Sequence, residues 1–373
     1  MSAILSIFLG FLLMYVLLVV VLSLGLLKSS TQAFNKPGRY PMVTLVIPFR
    51  NEADHLPALV HDLSVQSYPH DRLEVILVND HSEDGSETIL REQIRDLERF
   101  LCIDLPRGRE GKKEALAMGI QHASGNWIIQ TDADCRMGRL FVATHLSCRL
   151  DTSADLVAGM VTTEEKKHGL LEVLERLDLL GLAGAGAGSF QLGIPLMCSG
   201  ANLAYSRNLY EEVQASLPGT GLASGDDMFL MIAARRLEKK LVYLTSSEAL
   251  VKTHPAASLR SLLYQRNRWG AKTPFYRKTD IQAVALLTAV TNLSILLMPL
   301  MLLLIPLSWQ WLLPAFVLKS LADFTLLYIV AGQTGQKRDL LLFLPVVLLY
   351  YPYQGAVLVG MLFLKREWKG RVR

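Results

Sequence analysis

The chain has 373 residues, of which 51% are hydrophobic and 19% charged, with a formal net charge of +4. It is more apolar than a typical soluble protein of this length, and the slight charge, without interleaved basic and aromatic residues, argues against nucleic-acid binding. Four apolar runs each approach the roughly 20 residues of a bilayer-spanning helix. They are residues 3–27, 281–306, 311–331 and 340–364.

The first run predicts an N-terminal transmembrane anchor at residues 1–27, because it exceeds the about 7 to 15 apolar residues of a signal-peptide core. Basic residues from Lys28 to Arg39 follow it, and basic loops stay in the cytoplasm, so we expect the next segment on the cytoplasmic side. Three more spans within residues 281–364 would put the basic tail, residues 365–373, on the opposite side. The tail is then either a tolerated exception or a sign that one C-terminal run is re-entrant.

The central segment, residues 28–257, alternates β-branched runs with helical stretches. This pattern is typical of an α/β fold with a mostly parallel sheet covered on both faces. Predicted strands are 43–48, 73–78, 101–104 and 127–131, and predicted helices are 56–65, 87–100, 113–123 and 228–237. Ligands bind beyond the carboxyl ends of such strands, so we expect the site at that edge of the sheet.

Acidic residues follow two of these strands. Asp132 and Asp134 are spaced so that both carboxylates can turn toward one hard cation, and Mg²⁺ or Mn²⁺ takes carboxylate and phosphate oxygens. The alternative is an ordinary turn. Asp80 can accept hydrogen bonds from a nucleoside, or it can form a turn and cap the following helix.

A second acidic pair, Asp226 and Asp227, precedes the predicted helix 228–237. One acid can act only as a helix N-cap. Alternatively, the pair holds a general base that takes a proton from an acceptor hydroxyl. Both interpretations stay open from the local sequence.

Residues 258–280 mix apolar, basic and aromatic side chains just before the second apolar run, which predicts an amphipathic helix at the membrane interface. Gln265 and Arg268 are three residues apart and can reach a diphosphate from one helical face. Trp269 can form a wall for an acceptor sugar. The alternative is that the arginines only contact lipid headgroups.

Three other features have open roles. The glycine-rich run 181–188 follows a helical stretch and not a strand, so it is no phosphate loop, and close packing against the membrane is favoured over a mobile acceptor gate. Lys319 and Asp323 lie four apart in a predicted span, where they can form an ion pair or contact a polar acceptor. His254 can be a metal ligand, although a structural or solvent-facing role is favoured.

These motifs, in this order, resemble family 2 glycosyltransferases of the GT-A fold, especially the membrane-bound group of cellulose, hyaluronan and poly-N-acetylglucosamine synthases and ceramide glucosyltransferase. The resemblance covers residues 41–269. It implies that Glu52 in VIPFRNE, Asp80 in VNDHSEDGS and Lys112 in GKKEALA contact the nucleotide sugar. Ala117 departs from the pattern, since the family has Asn there.

The resemblance also implies roles for the acidic pairs. Asp132 and Asp134 match the DxD motif, whose acids coordinate the metal and the diphosphate. Asp227 matches the last residue of the TED motif, the general base. Asp226 stands where Glu is usual and is expected on the acceptor side.

Gln265, Arg268 and Trp269 match QxxRW, a motif of synthase-like and lipid-modifying members. The expected function is inverting transfer from a nucleotide diphosphate sugar, with a UDP-sugar as the expected donor, to a lipid or lipid-linked glycan at the cytoplasmic membrane face. A short processive polysaccharide synthase is the alternative, although four spans are few for a polymer channel. A catalytically inactive membrane scaffold would be expected to lack one of the acids.

Overall fold

The computed structural model describes residues 3–29, 40–166, 169–216, 226–276, 278–305, 308–363, 367–368 and 371–372. Its α-helices are α1 (Ala3–Ser29), α2 (Leu56–Ser64), α3 (Ser86–Gln93), α4 (Lys112–His122), α5 (Phe141–Thr152), α6 (Leu170–Gln191), α7 (Arg207–Ser216), α8 (Asp226–Arg236), α9 (Leu259–Gly270), α10 (Thr279–Leu296), α11 (Met298–Leu304), α12 (Trp309–Thr334) and α13 (Phe343–Phe363).

The β-strands are β1 (Val43–Phe49), β2 (Leu73–Asn79), β3 (Phe100–Asp104), β4 (Trp127–Gln130), β5 (Cys135–Met137), β6 (Leu156–Gly159), β7 (Val161–Thr163), β8 (Leu203–Ser206), β9 (Leu241–Leu244), β10 (Val251–Thr253), β11 (Glu367–Trp368) and β12 (Arg371–Val372). The chain divides into two compact units. The sheet unit comprises Ser29–Glu164 and Met197–His254, and the helical unit comprises Met1–Lys28, Glu165–Leu196 and Pro255–Arg373.

The sheet unit is built on a seven-stranded sheet of order β3-β2-β1-β4-β8-β6-β9. Among these strands, β8 alone runs antiparallel to its neighbours. β1 is buried along its whole length because its continuous apolar run is covered on both faces. Val46 lies opposite Ile76 of β2 and Gln130 of β4, so these three strands end at the same edge. The predicted mostly parallel α/β sheet is confirmed.

Helix α4 lies directly on this sheet. A Cβ atom at Gly119 would lie 2.3 Å from Cγ1 of Val46 and 3.2 Å from Cγ2 of Val78, so only glycine permits this approach. The close packing fixes the start of α4, with Lys112, near the edge at which the parallel strands end.

A second, three-stranded sheet has the order β5-β10-β7. β10 runs antiparallel to β5 and parallel to β7, with Thr253 opposite Cys135. These strands were not predicted, because three residues are too few to show a periodicity. They matter for the site because β5 begins directly after Asp134.

Two predicted helices were wrong in extent. The helix expected at 87–100 ends at Gln93, and Arg99, at a left-handed φ of 59°, turns the chain into β3. The run 281–306 forms two helices, α10 and α11. Pro299 near the start of α11 lacks the N–H that would continue one helix through this point.

Within the described ranges, four helices of the helical unit are long and apolar enough to cross a membrane: Leu5–Ser29, Thr279–Leu296, Trp309–Thr334 and Lys337–Met361. Each overlaps one predicted span. Of the predicted interfacial segment 258–280, residue 277 lies outside the described residues, as does most of the predicted tail 365–373.

Helix α6 also belongs to the helical unit, although its residues fall inside the predicted catalytic segment 28–257. A Cβ atom at Gly188 would lie 2.2 Å from the carbonyl oxygen of Leu22 in α1, and one at Gly184 would lie 2.7 Å from Cγ2 of Val330 in α12. Small residues let helices approach this closely within a membrane bundle. The glycine-rich run is therefore closely packed, and its partners here are helices α1 and α12.

The predicted ion pair within α12 is also confirmed. Lys319 Nζ lies 2.7 Å from Oδ2 of Asp323, and the Tyr15 hydroxyl of α1 donates to Oδ1 of Asp323 at 2.9 Å. Lys319 is fully buried, and its ammonium lies 4.7 Å from the ring centre of Tyr351 in α13. The cluster thus links three helices.

Candidate functional site

Arg50, the residue after β1, is buried and binds the loop that follows β2. Its Nη1 donates to the carbonyl oxygens of Asp80 and His81, each at 2.9 Å, and its Nη2 donates to Glu83 at 3.1 Å. Asn51 and His81 adopt left-handed φ values of 53° and 55°, which non-glycine residues rarely hold outside constrained sites. Arg50 was not a predicted site residue. The signal available was a charged residue directly after a strand that is apolar except for Thr44.

Asp80 lies deep at this edge, with 1% of its surface exposed. Its Oδ2 accepts a hydrogen bond from the backbone N–H of Gly111 at 3.0 Å. Gly111 has a φ of 97°, which favours glycine at the start of α4. The N-cap of α3 is Gly85, so the interpretation of Asp80 as the cap of that helix was wrong.

Lys112 and Asp132 form an ion pair between Nζ and Oδ1. Their side chains are 24% and 37% exposed, so solvent reaches both partners. Asp134 is half-buried, and its Oδ2 accepts a hydrogen bond from the Thr253 hydroxyl at 3.3 Å. The register of β10 against β5 thus anchors the second acid of the motif.

These two carboxylates fit a hard divalent cation. Asp132 already binds a positive group, the Lys112 ammonium, and half-buried carboxylate oxygens are suitable ligands for Mg²⁺ or Mn²⁺. Within the described ranges, no group of three or more His, Cys, Asp or Glu side chains is arranged to hold a metal ion. A metal at Asp132 and Asp134 would take its other ligands from phosphate and water, as Mg²⁺ commonly does.

Asp227 contacts the end of β4 through Gly200. The Gly200 N–H donates to Oδ2 of Asp227 at 2.8 Å, and the Gly200 carbonyl accepts from Nε2 of Gln130 at 3.2 Å. A Cβ atom at Gly200 would lie 2.8 Å from that Nε2, so a side chain would disturb the junction. Gln130 is itself held by the Tyr205 hydroxyl at 2.9 Å. The structure thus brings Asp227 to the strand that leads into Asp132.

The second carboxylate oxygen of Asp227, Oδ1, accepts from the backbone N–H of Met228 at 2.8 Å. Asp227 therefore bonds both its own helix and a distant segment, which is more than an N-cap does. Helix α8 begins at Asp226, whose side chain lies outside the described residues. Gln130 and Gly200 were not predicted site residues, because only the folded chain brings them to Asp227.

Glu52 belongs to a row of titratable side chains beside this edge. Its Oε2 lies 2.7 Å from Nδ1 of His55, whose ring centre lies 4.2 Å from that of His254. His254 Nδ1 in turn lies 2.6 Å from Oε2 of Glu164. These contacts agree with the favoured structural role of His254.

Gln265, Arg268 and Trp269 lie on α9, which belongs to the helical unit and not to the unit that holds the acids. Ser258 and Ser261 form a capping box at the start of this helix. The helix predicted over residues 258–280 is shorter than expected: it ends at Gly270, and Pro274, which lacks a backbone N–H, follows in a separate short turn. Gln265, Arg268 and Trp269 are all half-buried.

The sheet order, the antiparallel β8 and the acids beyond β4 define the GT-A class of α/β proteins. The mannosyltransferase PcManGT from Pyrobaculum calidifontis, solved in complex with GDP-Man and Mn²⁺, has this fold. It superposes with a TM-score of 0.58 over 96% of this chain and 99% of its own, at 16% sequence identity.

Residues 44–213 match the family described as Glycosyl transferase family 2. The chain therefore carries a glycosyltransferase family 2 domain, as the resemblance implied.

The relatives of the chain include two that match part of it. Glycosyltransferase AglE of Haloferax volcanii is 31% identical over 121 residues, which cover 32% of this chain and 40% of that protein. The undecaprenyl-phosphate 4-deoxy-4-formamido-L-arabinose transferase of Yersinia pestis is 35% identical over 98 residues, which cover 25% of this chain and 28% of that protein. The matched segment thus spans less than half of either relative.

Proposed function

We propose that the protein is a membrane-bound inverting glycosyltransferase that moves a sugar from a nucleotide diphosphate sugar to a lipid or lipid-linked glycan at the cytoplasmic face. The observation that carries the proposal is the bridge from Asp227 through Gly200 to Gln130. It joins an acid from α8 to the strand end that precedes Asp132 and Asp134. The proposed base and the two candidate metal ligands come from separate segments, and this bridge supports their assignment to one edge of the sheet.

The donor is proposed to bind at Glu52, Asp80 and Lys112. Lys112 has three N–H donors and is partly exposed, so its ammonium can turn from Asp132 to a phosphate oxygen when a diphosphate binds. Asp80 holds the amide of Gly111 and thereby fixes the backbone directly before Lys112. A UDP-sugar is the proposed donor.

Asp132 and Asp134 are proposed to hold Mg²⁺ or Mn²⁺, which when bound supplies positive charge opposite the departing diphosphate. By fixing the position of that cation, the two acids would keep the donor phosphates in one orientation. Asp134 is supported from the small sheet by Thr253, so its carboxylate is aimed before the donor arrives.

The transfer is proposed as a single displacement. The Asp227 carboxylate takes the proton of the acceptor hydroxyl, and that oxygen bonds to the anomeric carbon as the bond from carbon to the diphosphate oxygen breaks. Attack from the face opposite the leaving group inverts the configuration. The N–H groups of Gly200 and Met228 hold one carboxylate oxygen each, which orients the base. Asp226 is proposed to lie on the acceptor side.

The acceptor is proposed to be a lipid or lipid-linked glycan, with Gln265 and Arg268 contacting the diphosphate and Trp269 the acceptor. Four apolar helices and a relative named for undecaprenyl phosphate support a lipid. The basic segment from Lys28 to Arg39 supports the cytoplasmic side. A short processive polysaccharide synthase is the second candidate, because the QxxRW motif is shared by synthase-like and lipid-modifying members.

The test is to incubate the purified full chain with a panel of nucleotide sugars, Mn²⁺ or Mg²⁺, and total membrane lipid, and to identify the product by mass. We expect one glycosylated lipid whose anomeric configuration is inverted and whose formation stops with a chelator. A water-soluble polymer would favour the processive alternative. Absence of transfer from every donor would favour the inactive scaffold.

A further inference from the structure

Arg266 lies between the residues of the QxxRW motif, at a position that the motif leaves unspecified. It is charged, yet only 6% of its surface is exposed. Its Nε donates to Oδ2 of Asp178 at 2.6 Å, and its Nη1 donates to Oε1 of Gln265. Its guanidinium carbon lies 4.4 Å from the ring centre of Trp269. One side chain therefore contacts two of the three motif residues.

The partner of Arg266 is itself held on several sides. Asp178 belongs to α6, and its side chain is 5% exposed. The hydroxyl groups of Tyr350 and Tyr353, both on α13, donate to its two carboxylate oxygens at 3.3 and 3.4 Å. A buried carboxylate with three donors has little freedom to move, so the Arg266 guanidinium is fixed through it.

The contact with Gln265 decides which way its amide points. Because Oε1 accepts from Arg266, the two N–H donors of Nε2 are left for an oxygen-rich ligand such as a phosphate or a sugar hydroxyl. The contact with Trp269 occupies one part of the indole with a cation and leaves the rest of the half-buried ring for the apolar face of a sugar.

We propose that Arg266 is a positioning residue that, held by Asp178, sets the side-chain orientations of Gln265 and Trp269 and, through Trp269, the binding of the acceptor. The inference rests on the proposed function, in which Trp269 contacts the acceptor. It adds a determinant of acceptor binding that makes no contact of its own with the acceptor.

The test compares Arg266→Lys with wild type in the purified full chain. Lysine keeps the charge beside Asp178, but one ammonium cannot reproduce the planar stacking and the separate hydrogen bonds. We expect the KM for the acceptor to rise about 10-fold, the effect of losing the cation–π contact that orients Trp269, while kcat at saturating acceptor changes little. Arg260→Lys is the matched control, because Arg260 stacks on Tyr264 at 5.6 Å on the exposed face of the same helix. It should leave this KM unchanged.

A double variant separates positioning from general stability. If Arg266 acts through Trp269, Arg266→Lys should change the acceptor KM less than about twofold in a Trp269→Ala background, because coupled residues are not additive. An unchanged acceptor KM in Arg266→Lys, or the same rise in both backgrounds, would overturn the proposal.

A third measurement needs no catalysis. Iodide quenching of Trp269 fluorescence, taken as the difference between chains with and without Trp269→Phe, should increase in Arg266→Lys and in Asp178→Asn without any substrate. Equal quenching in all chains contradicts the positioning role. If wild type transfers no sugar from any donor, the proposed function fails, while the quenching still decides whether Arg266 fixes Trp269.

Discussion

Charged side chains are used in opposite ways in the two units. In the sheet unit, Lys112 and Asp132 form an ion pair that solvent reaches, since their side chains are 24% and 37% exposed. In the helical unit, Arg176 and Asp339 pair with 1% and 7% exposure, and two hydrogen bonds of 2.7 and 2.9 Å join them. The residue types are similar, but only the first pair can exchange its partner for a ligand.

The difference follows from the energetics of ion pairs. An exposed pair contributes little to stability, about 0 to 1 kcal/mol, so replacing one partner by a phosphate or a metal costs little. A buried pair that loses one partner leaves an uncompensated charge away from water, which costs about 3 to 5 kcal/mol. Between these two ion pairs, exposure therefore separates the pair that is proposed to bind a ligand from the pair that holds helical segments together.

The largest effect, a loss of turnover, is expected from a substitution at Asp227 in the sheet unit. Asp227→Asn removes the proposed base but keeps an oxygen that can accept from Gly200, so turnover should fall by about 10² to 10⁴ while nucleotide binding stays near wild type. Single-turnover kinetics and calorimetric titration with the nucleotide measure the two quantities. Unchanged turnover would remove Asp227 from this role.

Substitution in the buried pair of Arg176 and Asp339 should lower the stability of the protein. Arg176→Met leaves Asp339 buried and unpaired, and we expect the free energy of unfolding of the full chain to fall by about 3 to 5 kcal/mol in denaturant titrations. The control is Arg72→Met, because Arg72 pairs with Asp71 at 54% and 70% exposure and should matter by less than about 0.5 kcal/mol. Equal effects of the two substitutions would contradict the contrast between the units.

Asp134→Ala tests the metal assignment at the edge where the parallel strands end. The loss of one carboxylate ligand should reduce the activity measured with Mn²⁺ by about 10²-fold and flatten its dependence on metal concentration, since a bound metal is worth several kcal/mol. Asp71→Ala, at an exposed acid, is the control. Full stimulation by metal in Asp134→Ala would show that other groups hold the cation.

The smallest effect is expected from a buried histidine of the sheet unit, which makes stability depend on pH. His145 is fully buried, its Nε2 lies 2.8 Å from Oδ1 of Asn202, and burial lowers its pKa to about 4. The unfolded chain, with a pKa near 6.5, binds the proton more readily, so stability falls as the pH drops from 6.5 toward 4.

Between pH 7 and pH 5 this histidine should account for about 2 kcal/mol of lost stability. Thermal unfolding at both pH values measures it, with His122→Gln as the control because His122 is exposed. His145→Gln should show a shallower dependence on pH than wild type. A dependence that is equally steep in His145→Gln would assign the effect to other groups.

Many residues at the edge where the parallel strands end were predictable from sequence, because the patterns that mark them lie within short segments. Continuous β-branched runs mark β1, β2 and β4, and parallel strands bring their ends to one edge, so Asp80, Asp132 and Asp134 could be assigned to it. Long apolar runs likewise predicted four candidate spans.

The supports of the site could not be predicted, because they depend on contacts between distant segments. The bond from Gly200 to Asp227 joins residues 27 apart, and Arg50 contacts a loop about 30 residues away. For the same reason, the sequence did not predict that α6 belongs to the helical unit. Its glycines pack against α1 and α12, and its Arg176 pairs with Asp339, and none of these contacts can be read from the sequence of α6 alone.

The position of α6 in the chain bears on how the protein can be expressed. The polypeptide leaves the sheet unit after Glu164 and re-enters it at Met197, so removing both ends does not release a self-sufficient catalytic fragment. A truncated chain of residues 40–254 would retain α6 while losing the glycine contact with α1 and the partners of Arg176 and Asp178. We expect such a fragment to aggregate in aqueous buffer, and a flexible linker in place of residues 165–196 to be the route to a soluble form.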